Sequence, residues 1–437
     1  MRYAALPLHL ARRFAHYTRE EGLKNTLRRS LTWWRNTGLG RRGSIAPEVT
    51  GGVTDLTGFF RSDSSSFWTE SASRTAFSIP TPPIRRQRPK IAMIGDLNLP
   101  QCRKYRVEQL AEVFAAADAD YVFSHYEDLP RCMDILQDAT HLLLYRLRSH
   151  PHVTRHLYEA HRLKLPILYD IDDPLFSVPA YATYGNMDVL PPELKAHFID
   201  EAPHYAEVMN MADVVSVSTP VLRDHASEFT SRPVFLRRNF ADRSTLEAQP
   251  RPDGPHGEGF RLCFASGSQG HEVDFAVIEK DVTEFLARKP DRKLVILGHF
   301  DTRRLPAEIR NQVETHAFTD YAGYLAHLSG CDAAIMPLAD DLFNRCKSGV
   351  RVIDAASVGV PSLVGTVSDM QALVQDGRNG RVIDSAGDWG AALEDLASDR
   401  PLVREMGREA RSGLETRWSA RVEEPVIDPE MIRWIAA

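Results

Sequence analysis

Late in the chain, "NRCKSGVRVIDAASVGVP" (residues 344–361) sets a lysine, a serine and a glycine before an apolar helical pattern that contains one carboxylate, Asp354. A helix start presents unpaired backbone N–H groups and the positive end of the helix dipole. Lys347, Ser348 and Gly349 therefore form a candidate anion site, with Lys347 adding a full charge. Ser348 has the side chain to cap the helix and to donate to a phosphate. Ile353, Ala356 and Val360 mark the buried face, and Asp354 beside it is placed to accept bonds from ribose hydroxyls. The same residues also fit a capped surface helix with Asp354 in an ion pair.

Four further stretches carry chemistry. In "FASGSQGHEVDF" (264–275) a strand ends in Ser266, Gly267 and Ser268, small residues that let a diphosphate approach the backbone, with His271 as a donor to it. "GDLNLPQCRKYRVEQL" (95–110) follows the first strand and puts Arg103, Lys104 and Arg106 at a helix start, where acids are the usual residents. These cations suit an acceptor phosphate or a pyrophosphate across a cleft, and equally a solvated surface. "LYDIDDPLF" (168–176) ends a strand in Asp170, Asp172 and Asp173. Its Asp-x-Asp pattern raises divalent-metal chemistry; in a cleft the same acids orient a hydroxyl or stabilise positive charge. "FLRRNFAD" (235–242) offers Arg237, Arg238 and Asn239 as cleft or hinge residues.

The elements that position them are short continuous apolar runs, the mark of parallel strands buried on both faces. "KIAMIGD", "DYVFSH", "THLLLYRL", "LPILYDIDD", "DVVSVST" and "PVFLRRN" alternate with helical patterns, then stop at the Pro- and Gly-rich "STLEAQPRPDGPHGEG". From Phe260 the alternation restarts with "FRLCFASG", "RKLVILGH", "THAFTD", "CDAAIMPLA", "VPSLVG" and "NGRVID". Two doubly wound α/β domains follow, expected at 89–242 and 260–420 with a linker at 243–259 and a terminal helix at 421–437. Ligands of such sheets bind at the carboxyl ends of the strands, in this case in a cleft between the domains. Ahead of them, residues 1–45 read as a basic amphipathic helix with Leu23, Leu27, Leu31 and the Trp33-Trp34 pair on its apolar side, and 46–88 as a linker.

Composition narrows the setting. The chain has 437 residues, is 43% hydrophobic and 26% charged, and carries a formal charge of −6, ordinary for a soluble globular protein. Residues 1–45 hold ten Lys/Arg against two Asp/Glu, and the remainder 43 against 57. A basic arm on an acidic body suits either packing on that body or an anionic membrane surface. Five cysteines without a Cys-x-x-Cys pair point to a reducing, cytoplasmic compartment, and no apolar run is long enough to span a bilayer. The first strand lacks Gly-x-Gly-x-x-Gly, against a dinucleotide oxidoreductase; P-loop and His-Glu-x-x-His motifs are missing, and no nucleic-acid recognition module accompanies the basic arm.

The segment 264–384 resembles the donor-binding region of GT-B glycosyltransferases, specifically of glycosyltransferase family 4. In that family a loop leads into a helix whose glutamate holds the nucleotide ribose, and Gly-x-Pro closes the helix; "DAASVGVPSLVG" matches, with Asp354 in the glutamate's place. "VSDMQALVQDGRNGRVID" resembles the next unit, "FLRRNFAD" the strand-end Asn before the interdomain linker, and Cys102-Arg103-x-Tyr105-Arg106 an element of some relatives. The family's earlier glutamate, eight positions before the ribose acid, is Cys346 here, which leaves the phosphate to Lys347 and Ser348. The resemblance implies a GT-B fold of two Rossmann-like domains and a retaining transferase that moves a sugar from a nucleotide-sugar substrate to a glycan or lipid-linked glycan, without cofactor or catalytic metal. The expected catalytic residues are Lys347, Ser348 and Asp172. The expected donor residues are Ser266, Gly267, Ser268, His271, Lys347, Ser348, Gly349 and Asp354, and the cleft or acceptor residues Arg103, Arg106, Asp170, Asp173 and Asn239. A sugar-nucleotide epimerase and a non-catalytic glycan-binding or partner-binding relative are the alternatives.

Overall fold

A computed structural model describes residues 88–249, 259–267, 270–384, 388–420 and 426–436. All of the described residues belong to one compact unit, within Phe59–Ala437. The basic arm expected at 1–45, nearly all of the 46–88 linker, and Ser268 lie outside the described residues.

Each apolar run forms a strand, and all pairings within the two sheets are parallel. The first sheet holds β1 (Lys90–Gly95), β2 (Asp120–His125), β3 (His141–Tyr145), β4 (Ile167–Ile171), β5 (Val214–Val217) and β6 (Val234–Leu236) in the order β2-β1-β3-β4-β5-β6. The second holds β7 (Arg261–Gly267), β8 (Lys293–Gly298), β9 (Val313–His316), β10 (Ala333–Met336), β11 (Ser362–Gly365) and β12 (Gly380–Ile383) in the order β12-β11-β10-β7-β8-β9. β3 and β4 are buried along their whole length, which is why no polar alternation marks them in the sequence. β9 starts two residues before the "THAFTD" run, so Phe318 lies beyond the strand and is exposed.

The strand orders reverse between β1 and β3 and between β7 and β10. At such switch points neighbouring loops diverge and open a crevice at the carboxyl ends. The loops after β1, β3 and β4 carry Arg103, Arg146 and Asp172; those after β7 and β10 carry His271 and Lys347. The topology thus gathers the chemistry-bearing stretches of each half at one end of its sheet.

The two halves of this unit interlock. Tyr105 and Ala241 pack in the core beneath the helix Val350–Ser357, with Val352 and Ile353. Phe343 and Cys346 go the other way, into the first half's core with Tyr181 and Met187. The expected linker begins with a helical turn, Arg243–Leu246, capped by Asp242. The terminal helix, Pro429–Ala436, packs on the first half, Met431 and Ile435 lying with Ile91, Met93 and Phe114. Among the described residues no helix is long and apolar enough to cross a membrane, and all five cysteines are free thiols.

Candidate functional site

The floor of the second half's crevice is nearly bare backbone. Gly267, Gly270 and Gly298 have φ of +51°, +102° and +102°, a region that side chains disfavour. A Cβ on Gly298 would lie 3.1 Å from the Gly267 nitrogen, and one on Gly270 would lie 2.6 Å from the Asn186 carbonyl oxygen. Torsion disfavours a side chain at all three, and crowding adds to this at Gly270 and Gly298. Ser266, expected to face the donor, is buried and donates its hydroxyl to the His299 carbonyl, so it shapes the loop instead.

His271 is also altered by its surroundings. Burial pushes its imidazole down to about 4, so it is neutral near pH 7. Its Nδ1 lies 2.7 Å from Asp274 Oδ2. Burial acts to raise the Asp274 pKa, but the His271 hydrogen bond, Lys347 and Asn186 together hold it well below the usual carboxylate range. An ionised Asp274 sets the tautomer, with the proton on Nδ1 and donated to the carboxylate. The charge-assisted bond expected from His271 is therefore not available, because a buried neutral ring brings no charge.

Lys347 carries its charge to this site. Its Nζ donates to the Tyr184 hydroxyl at 2.8 Å and lies 4.9 Å from the Tyr184 ring centre and 5.8 Å from that of Phe343. Burial lowers its pKa, opposed by the fields of Asp274, Asp173 and Asp341, but it forms no ion pair with any of them. Gly349, not Ser348, occupies the N-cap of the helix Val350–Ser357, and no side chain caps that end. Ser348 instead accepts a 2.8 Å bond from Asn239 Nδ2, whose Oδ1 accepts from Arg106 at 3.1 Å. Asn239 is thus a bridge between the halves. A Cβ on Gly349 would meet Leu373 at 2.5 Å, so its glycine reflects tight packing.

Asp354 is buried, and its Oδ1 accepts hydrogen bonds from Tyr105 and, at 2.8 Å, from Tyr321. Burial raises its pKa to about 6 against the pull of these two phenols and of Lys104. The expectation that it holds a ribose does not survive in this arrangement: two tyrosines, one from each half, cover it. Cys346, at the position of the family's first glutamate, is fully buried in the first half's core; burial pushes its thiol to about 12, and its carbonyl accepts from Thr219 at 2.9 Å. Cys346 is thus an apolar anchor between the halves.

Two expected cleft residues prove structural. Arg106 and Asp170 are both fully buried. Arg106 grips Asp170 through Nε and Nη2 at 3.0 and 2.5 Å, Arg237 does so at 3.1 and 2.5 Å, and Ser216 adds a 2.5 Å bond. Burial alone would raise the Asp170 pKa; the two guanidiniums outweigh it and hold it at about 2. Both oxygens of Asp170 are taken up within this cluster, so its carboxylate is not open to an acceptor or to the metal that Asp-x-Asp suggests. The cause is local: Lys104–Glu108 is a π-helical turn that turns three successive long side chains inward. Lys104 reaches Asp242 at 3.0 Å, Tyr105 reaches Asp354, and Arg106 reaches Asp170. Arg103, just before it, is exposed and pairs with Glu108 at 2.7 Å, worth less than about 1 kcal/mol.

Asp172 and Asp173 do reach the first half's crevice, together with a residue missed in the sequence, Arg146. It follows β3 with φ +52°, a left-handed conformation that costs a non-glycine residue energy. Its Nη1 bonds Asp172 at 3.0 Å and Asp173 at 3.1 Å. Asp172 also lies 3.2 Å from the Tyr145 hydroxyl. Asp173 is the more exposed acid, at 26% against 13%, and its pKa is raised by burial and by Asp172. The "YRLRSH" run after β3 was the available signal, but helical or loop basic residues are too common to single out one.

Two parallel six-stranded sheets, each with a crevice at the carboxyl ends of its strands, make the GT-B glycosyltransferase fold. Residues 262–399 match the family described as "Glycosyl transferases group 1". A sucrose-phosphate synthase from Thermosynechococcus elongatus shares the fold with a TM-score of 0.51 at 14% identity, over 76% of this chain and 96% of that one. A glycosyltransferase from Rickettsia africae ESF-5 does so with a TM-score of 0.52 at 11% identity, over 80% and 99%. In sequence, 87 residues are 31% identical to a D-inositol 3-phosphate glycosyltransferase of Paenarthrobacter aurescens (strain TC1), so the match spans about 20% of that relative's length.

Proposed function

We propose that this chain is a retaining glycosyltransferase that takes a sugar from a nucleotide-sugar donor and passes it to a glycan or lipid-linked glycan, in cell-surface polysaccharide synthesis. The observation that carries this reading is Lys347: a half-buried cation that has no ion-pair partner among the described residues, just before an uncapped helix start, its field felt at His271 beside the Gly267 backbone. That combination suits a leaving diphosphate, whose charge grows in the transition state. Lys347, Ser348 and the helix N–H groups would stabilise it. The acceptor hydroxyl would attack from the face the nucleotide leaves and pass its proton to a donor phosphate oxygen. Asp172, held by Arg146, would orient that hydroxyl, with Asp173 beside it.

Isothermal titration with UDP-, GDP- and dTDP-sugars tests this. One of the three is expected to bind, and Lys347→Ala is expected to abolish turnover while leaving the fold intact. Near-normal transfer by that variant would remove the central role of Lys347. A second reading, a non-catalytic relative, is favoured by the covering of Asp354 by Tyr105 and Tyr321 and by the burial of Cys346. Absence of binding across the panel would select it. Residues 1–45 would dock the enzyme on an anionic inner membrane face. Unchanged binding to phosphatidylserine vesicles and unchanged activity after their deletion would exclude that role.

A further inference from the structure

Arg351 stands four residues after Lys347, at the second position of the helix Val350–Ser357. Its Nη1 donates to the Ala265 carbonyl at 3.1 Å, directly before the Ser266–Gly267 turn. The side chain is half-buried, and among the described residues no carboxylate lies within ion-pair distance of it. Other buried or half-buried arginines differ. Arg106, Arg146, Arg237 and Arg238 each hold a carboxylate: Asp170, Asp172, Asp170 and Asp369 respectively. Lys347 shares the condition of Arg351, since among the described residues its Nζ bonds a phenol oxygen and no carboxylate. The two charges are close enough that each Arg351 and Lys347 field is felt at His271.

The acids nearest Lys347 are already engaged. Asp274 accepts from His271, Asn186, Asn344 and the Ala339 N–H; Asp173 accepts from Arg146; Asp341 accepts from the Asn344 N–H. Partly desolvating two cations without a matching anion is costly. The arrangement makes sense when an anion of two or more charges completes it. A guanidinium fixed by one N–H retains further donors in a planar fork that matches phosphate oxygens.

Resting on the nucleotide-sugar reading above, we propose that Arg351 is the second cation of the diphosphate subsite, so that Lys347 and Arg351 hold the two phosphoryl groups from either side of the helix start, against the backbone of Gly267 and Gly298. His271 is then an uncharged wall of the subsite.

The test is calorimetric titration of the full chain with UDP, GDP and dTDP, and with the matching monophosphates, for the wild type, Arg351→Met and Arg351→Lys. Arg351→Met keeps the aliphatic stem and should weaken diphosphate binding by about tenfold to a hundredfold, the range for one charge-assisted contact. The monophosphate should lose less than about threefold, and Arg351→Lys should recover part of the diphosphate affinity. Equal losses for mono- and diphosphate would assign Arg351 a merely structural role and overturn the inference, as would wild-type diphosphate affinity in Arg351→Met. If Arg351→Met fails to fold, Arg351→Lys decides: loss confined to the diphosphate supports the proposal, and equal or no loss overturns it. A wild type that binds none of the three diphosphates would remove the nucleotide reading itself, an outcome distinct from a failure of Arg351 alone.

Discussion

Arg106 and Lys347 both lie largely withdrawn from bulk water, at the carboxyl ends of the two sheets, and their surroundings treat them in opposite ways. Arg106 shares Asp170 with Arg237, and most of its donors are matched by oxygens. Lys347 has a phenol oxygen, two aromatic rings and, among the described residues, no ion pair. A buried charge with complete internal partners is part of the scaffold, because a ligand could reach it only by breaking those bonds. A desolvated charge without them has interactions left to make. By that criterion the first half's basic cluster holds the molecule together, and the second half's cations form the candidate site.

The contrast can be broken most forcefully at Asp170. Asp170→Ala leaves two buried guanidiniums without an anion and should cost about 3–5 kcal/mol, read as a fall in the urea midpoint or loss of soluble protein. A stability near that of the wild type would mean that the cluster is not a scaffold. Cys346→Glu comes next. It restores the family's residue in a place that is now the first half's core, where an unpaired carboxylate should cost about 3 kcal/mol. A stable variant with improved nucleotide affinity would instead place Cys346 in the donor site.

Asp354 offers a pH test. Its folded-state pKa of about 6 exceeds the usual value of 3.8, so the folded protein holds the extra proton between those values. Stability should therefore fall as pH rises from about 4 to 6, by up to about 3 kcal/mol from this group. Asp354→Asn should remove that part of the slope in denaturation series at pH 4 to 7. Asp369, raised to about 6 by burial despite its pairing with Arg238, contributes in the same direction and should persist in the variant. An unchanged slope would show that the Tyr105–Asp354–Tyr321 contact is open in solution. The smallest expected effect is that of Lys347→Ala on stability, within about 1 kcal/mol of the wild type, since lost cation–π contacts and a relieved desolvation cost oppose each other. A loss as large as that of Asp170→Ala would erase the distinction between the two regions.

The strands were readable because parallel sheets covered on both faces need unbroken apolar runs, and "HLLLY" and "ILYDI" are such runs. The helix before Gly-x-Pro was readable for a similar local reason, its buried face being Val352, Ile353, Ala355 and Ala356. Polar residues were less legible. Asp170 and Asp172 look alike in "YDIDD", yet one lies inside β4 between two arginines and the other beyond the strand end in the crevice. Arg103 and Arg106 differ by three positions, and a π-helical turn sends one to solvent and the other to the core.

From residue order alone came the parallel α/β halves, the gathering of polar stretches at strand ends, and Lys347 at a helix start beside glycine backbone. These rest on local periodicity and on the geometry of short segments, which neighbours far along the chain hardly alter. Tertiary packing alone decided which charges have partners. Arg106 meets Arg237 across 131 positions, and Tyr105 meets Asp354 across 249. Whether a cation is scaffold or site depends on the carboxylate that folding brings to it, and no spacing rule along the sequence encodes that distance.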